Sequence, residues 1–116
     1  MMKLLLIDTL EKLGYPVLLQ GSMASDAAYP DSFITFFTND SPDIGYYDNT
    51  PVGTAWDFQV AFYSNDPLLV EREAKRIRKE LLAVGFIAYG RGRDIPSDEP
   101  THTGWVNDYT YLEMEE

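Results

Sequence analysis

Few residues in this chain are of a type that does chemistry: one histidine, no cysteine, and three carboxylates close together at Asp40, Asp43 and Asp48. Three hard-oxygen donors in one segment are what a calcium loop requires. The spacing does not fit. An EF-hand loop places acidic or amide ligands at alternate positions, then Gly and a distal Glu, whereas here Pro42 takes a ligand position and no Glu follows. The segment therefore reads as a solvated loop with no metal.

Histidine is the usual general base or metal ligand near neutral pH, but His102 stands alone in Pro100-Thr101-His102-Thr103-Gly104 and is predicted to be a solvated loop residue. A Ser–His hydrolase would need a carboxylate, an oxyanion hole and a Gly-x-Ser-x-Gly elbow, and that elbow is missing. Gly90-Arg91-Gly92-Arg93 lacks the length and the Lys-Ser/Thr ending of a phosphate loop, so its glycines are predicted to make a turn. Without cysteine there is no disulfide, thiolate metal site or thiol nucleophile. No catalytic residue and no cofactor is expected.

The elements around these residues follow from periodicity. Leu6, Leu10 and Leu13 recur at spacings of four and three, predicting a helix over about Lys3–Leu13 that Gly14 ends and Pro16 blocks. Leu18–Pro30 reads as a connection with a short strand at its start. Ser32–Thr38, aromatic and β-branched on both faces, reads as a strand inside a sheet. Asn39–Gly53, dense in Asp, Asn, Pro and Gly, reads as a long exposed loop. In Thr54–Ser64, Trp56, Phe58, Val60 and Phe62 alternate onto one side, predicting a strand antiparallel to the previous one.

Asp66-Pro67 is a helix start, with Asp66 as cap and Pro67 where its missing N–H is harmless. Val70, Ala74, Ile77, Leu81 and Val84 draw an apolar stripe to the stop at Gly85. Strands over about Phe86–Tyr89 and Gly104–Glu113 follow, separated by a second exposed loop over about 91–103. The expected fold is one α+β domain over residues 1–116. Its order is α-β-β-α-β-β, its sheet mostly antiparallel, and both helices cover one face.

Nineteen Asp and Glu against nine Lys and Arg give a net charge of −10, which repels a phosphate backbone and argues against sequence-specific DNA binding. The apolar run Leu4–Ile7 stops at Asp8, too short for a signal peptide or a membrane span, so a cytoplasmic protein without membrane contact is expected. Arg72, Lys75, Arg76, Arg78 and Lys79 place five of the nine cations on the second helix. Either they pair along the helix, Glu71 with Lys75 and Arg76 with Glu80, or they form a basic edge that meets the acidic loop of another copy.

In order along the chain stand Leu13-Gly14, Tyr29-Pro30 before Phe33-Ile34-Thr35-Phe36, Trp56-Asp57-Phe58-Gln59-Val60, Asp66-Pro67, Gly85-Phe86 and Tyr109-Thr110-Tyr111-Leu112-Glu113. This succession resembles the tail-terminator and tail-completion proteins of long-tailed bacteriophages and prophages, the family of the lambda tail terminator, over nearly the whole chain. The resemblance implies a ring, typically of six copies, that caps the tail tube and joins tail to head. It implies as partners a second copy, the tail tube protein and a head-closure or connector protein, in the virion neck or, during assembly, the host cytoplasm. DNA would pass through unread, eased by the carboxylates. The candidate contacts are Asp40, Asp43, Tyr46, Tyr47 and Asp48, then Arg72, Lys75, Arg76 and Lys79, then Arg91 and Arg93. Another head–tail connector or minor neck component is the alternative, and a small ligand-binding domain or enzyme the third reading.

Overall fold

The computed structural model describes residues 2–19, 30–40, 43–47, 50–97 and 101–114. In chain order the elements are α1 (Met2–Glu11), β1 (Val17–Leu19), β2 (Ser32–Asp40), β3 (Asp43–Tyr47), β4 (Thr50–Ser64), α2 (Pro67–Ala83), β5 (Ile87–Ala88), β6 (Arg93–Pro96) and β7 (Thr103–Met114). Two helices and a mostly antiparallel sheet make an α+β fold, as expected.

The alternation in β4 decides the middle of the sheet. β4 is flanked by β2, which sets Ile34 opposite Phe62 and Phe36 opposite Val60, and by β7, which sets Tyr109 opposite Phe58. Because strand side chains alternate between faces, these residues share one face. Against them pack Leu6, Leu10 and Leu13 of the first helical segment and Val70, Ile77 and Leu81 of α2, with Phe86, in a single apolar cluster. Burying each large side chain contributes roughly 1.5–3 kcal/mol, which holds helices that would be marginal alone. Aromatic edges add direction: Tyr15 meets Phe62 at 5.0 Å and Phe86 meets Tyr111 at 5.0 Å, both edge-on.

Both helix ends follow the sequence signals. The Asp66 carboxylate accepts the Leu68 N–H at 3.1 Å, while the Asp66 N–H is donated to Ser64 Oγ at 3.0 Å. At the far end Gly85 adopts φ 104°, and the Phe86 N–H reaches back to the Leu81 carbonyl at 3.0 Å.

The order of elements exceeds the expected six by three strands, of which β1 answers to the short strand expected at the start of Leu18–Pro30. β1 is three residues long and pairs in parallel with β2, Val17 opposite Ile34, which makes the sheet mixed. β3 lies inside the stretch expected to be a loop over 39–53: Tyr47 pairs with Thr50, Tyr46 with Pro51 and Asp43 with Thr54, so this segment is a β-hairpin. Its Asp, Pro and Gly content disfavours a strand intrinsically, but pairing with β4 across a two-residue connection supplies the ladder bonds. β6 occupies 93–96 of the second expected loop, its Arg93 opposite Val106 and its Ile95 opposite Gly104. The sheet runs β1-β2-β4-β7-β5, with β3 on β4 and β6 on β7.

Candidate functional site

Two features at opposite ends of β7 could engage a partner. The first is the hairpin of β3 and the start of β4. Among the described residues β7 accompanies β4 as far as Gly53, opposite Met114, and β2 accompanies it as far as Asp57, opposite Asp40. Beyond Gly53 the sheet narrows to a two-stranded arm, since Thr50 and Pro51 pair with β3 alone among the described residues. The expected contact residues Asp43, Tyr46 and Tyr47 take their places on β3, and Asp40 ends β2 across a register shift. Asp48 lies outside the described residues.

The second feature is a groove of about 550 Å³ between the first turns of α2 and the β6–β7 edge, lined chiefly by Pro67, Val70, Glu71, Asp94, Ile95 and Trp105. Past Trp105 it continues into a pocket of about 150 Å³ rimmed by Lys75, Arg78 and Arg91. The groove's floor depends on the turn before β6. Gly90 and Gly92 have φ of 71° and 91°, the turn expected of these glycines. The Trp105 indole N–H donates to the Arg91 carbonyl at 2.8 Å, and Asn107 Nδ2 and Arg78 Nε donate to the Gly90 carbonyl at 3.1 and 3.3 Å. A Cβ on Gly92 would collide with the Trp105 indole nitrogen and the Val106 carbonyl, so only glycine admits this approach.

The cations of α2 divide between its two flanks. Lys75 and Arg78 face the groove with Arg91, and Lys75 pairs with Glu71 at 3.5 Å as expected. This exposed pair is worth about 0.3–0.5 kcal/mol. On the other flank Arg76 does not pair with Glu80 but with Glu73, at 3.3 Å, and Arg72 approaches the same carboxylate at 3.7 Å. The reason is that Glu73 is buried, and a buried carboxylate draws whatever donors reach it. The Tyr15 hydroxyl also donates to it, at 2.9 Å. Burial, and then this bond to the anion, hold the Tyr15 pKa above its ordinary value. Arg76 also reaches the Leu13 carbonyl at 3.5 Å, tying α1 to α2. Lys79 is exposed on α2, and Arg93 is exposed opposite Val106, outside the groove lining. The candidate contacts thus form two groups, Arg91 and Lys75 at the groove and the β3 residues on the arm, with Arg72 and Arg76 serving the helix pair.

Three residues take places that the sequence pattern does not predict. Trp105 lies on the strand expected over Gly104–Glu113, and the alternation Trp105, Tyr109, Tyr111 marks its face. Glu73 sits one step off the apolar stripe. His102, expected to be solvated, is buried: its Nε2–H donates to the Pro30 carbonyl at 2.8 Å, and Nδ1 accepts from the Thr101 hydroxyl at 2.9 Å. Its ring also packs on Phe33, with centroids 5.9 Å apart. A loop can bury a ring whose two nitrogens are both satisfied, here by a hydroxyl and a carbonyl.

Among the described residues no cluster of three His, Cys, Asp or Glu could hold a metal ion, and no helix is long and apolar enough to cross a membrane. No protein-family description matches the chain, and no curated protein does.

Proposed function

We propose that this chain is a structural assembly protein of a long-tailed phage or prophage particle, forming a ring that caps the tail tube and joins the tail to the head. The observation that carries this reading is the arm. A two-stranded ribbon is marginally stable in water, and here, among the described residues, its end extends beyond both flanking strands and β3 is unpaired on its outer edge. Such an edge is a template for contact with another chain. The net charge of −10 supports the same role, because a ring through which DNA passes gains from a surface that repels phosphate. Its partners are further copies of itself, typically six in the ring, the tail tube protein on one side and a head-closure or connector protein on the other. The ring needs no cofactor.

The test is to mix the purified protein with tail tube subunits and follow mass by light scattering and tube length by electron microscopy. Rings at the tube ends and an arrest of elongation are expected. A protein that stays monomeric with tube subunits present and leaves tube growth unchanged overturns the proposal.

A further inference from the structure

The groove beside Trp105 and the arm of β3 and β4 are complementary in length and chemistry, and in charge at the groove's inner end, while its outer part carries Glu71 and Asp94. Along α2 the groove extends from Pro67 to Arg78, a rise of about 16 Å at the helical repeat. Strand β3, with five residues, spans about 17 Å. Between Lys12 and Arg72 the sequence contains no cation, and Asp40 and Asp43 stand at the base of the arm. The groove's inner end, in contrast, carries Lys75, Arg78 and Arg91. Its floor is apolar, with Val70, Ile95 and Trp105, and the arm's strand carries Tyr46 and Tyr47. Tyr and Trp are the side chains that most often anchor protein contacts. Both features also present a free strand edge: among the described residues β3 pairs only with β4, and β6 only with β7.

The arm cannot reach the groove of its own chain. β7 carries Trp105 at the groove and Met114 beside Gly53 at the root of the arm. Nine residues of strand separate them, about 30 Å, and the arm points away from the groove. Any arm-to-groove contact therefore joins two molecules; exchanged reciprocally it closes a twofold dimer, and made head to tail it closes into a ring or runs on as a filament.

We propose that the groove between α2 and the β6–β7 edge receives the β3–β4 arm of a second copy, the free edge of β3 lying along that of β6. This rests on the ring reading above and names the contact from which the ring is built. Lys75 and Arg78 meet the carboxylates of the incoming arm, and the Trp105 side of the groove takes its tyrosines.

A charge swap tests it. Asp43→Lys alone sets cation against cation in every contact, and Lys75→Glu alone sets carboxylate against carboxylate. Each variant is expected to lose self-association by about tenfold or more while staying folded, Lys75→Glu melting no more than about 4 °C below the parent for its lost pair with Glu71. Mixed in equal amounts, the two restore assembly, because every arm of one variant then matches the groove of the other. Since the chain has no cysteine, Ile44→Cys copies mixed with differently sized Arg93→Cys copies, Arg93 being on β6 itself, should form a specific disulfide-linked heterodimer. Variants that assemble like the parent and give no heterodimer overturn the arm-to-groove contact and leave the ring reading intact. A parent that forms no ring, alone or on tube ends, overturns both.

Discussion

Replacing Gly92 by alanine tests whether the turn before β6 is held by close approach as well as by backbone conformation. Gly92 has φ 91°, where an L residue is strained by about 1–2 kcal/mol. A Cβ there also meets the Trp105 indole nitrogen and the Val106 carbonyl. Relieving that collision moves the turn off the indole N–H that Arg91 accepts at 2.8 Å, a loss of about 1 kcal/mol, and loosens the β6 ladder by a similar amount. The total is about 3–4 kcal/mol. Gly14 is the internal control, since its φ is 92° but nothing lies within 4 Å of an added Cβ. Gly14→Ala thus isolates the conformational strain. For a chain of this size each kcal/mol lowers the melting temperature by about 4 °C. Calorimetry should therefore find Gly92→Ala melting about 12–16 °C below the parent, and Gly14→Ala about 4–8 °C below. Equal losses for the two variants would refute the argument from close approach.

Glu73→Gln removes the anion that Arg72, Arg76 and Tyr15 share, and is expected to cost about 1–2 kcal/mol in urea unfolding. It should also bring the Tyr15 phenol closer to its ordinary pKa in an ultraviolet titration, though burial keeps part of the rise. Burial pushes the Tyr109 hydroxyl up to about 12, so the folded chain keeps a proton that the unfolded chain releases from about pH 10. The stability this tyrosine confers is complete below about pH 10 and falls by roughly 2–3 kcal/mol by about pH 12. Tyr109→Phe should flatten that alkaline decline in urea midpoints measured across the range. His102→Ala strips the Pro30 carbonyl of its donor and opens space beside Phe33, for an expected loss of about 2–3 kcal/mol. A loss within about 0.5 kcal/mol would mean that the ring is solvated after all.

Where local pattern and tertiary environment agree, the sequence was sufficient. Trp56, Phe58, Val60 and Phe62 alternate because one face of β4 is buried, and Asp66-Pro67 with Gly85 mark the ends of α2 because caps act within a turn. β3 was illegible because Asp43 and Gly45 interrupt Ile44, Tyr46 and Tyr47 within a stretch rich in turn residues, and its order comes from β4. β6 is too short for any period to show, and its existence depends on β7 beside it. The groove was out of reach for a related reason. It joins Pro67, Ile95 and Trp105 from three elements, and no spacing along the chain brings them together. His102 was misread because a lone polar residue in a loop gives no sign of the carbonyl that waits for it on a distant segment.

The position of β7 has a consequence for synthesis. This strand covers the second edge of β4, yet it begins at Thr103, about 40 residues after β4 ends at Ser64. At translation rates of about 5–20 residues per second, a nascent β4 waits roughly 2–8 s with Phe58, Val60 and Phe62 beside an open edge. α2 emerges within that interval and can shelter the apolar face, but only β7 can close the hydrogen-bond ladder. The polypeptide is therefore most vulnerable to mispairing with its own nascent neighbours on a polysome.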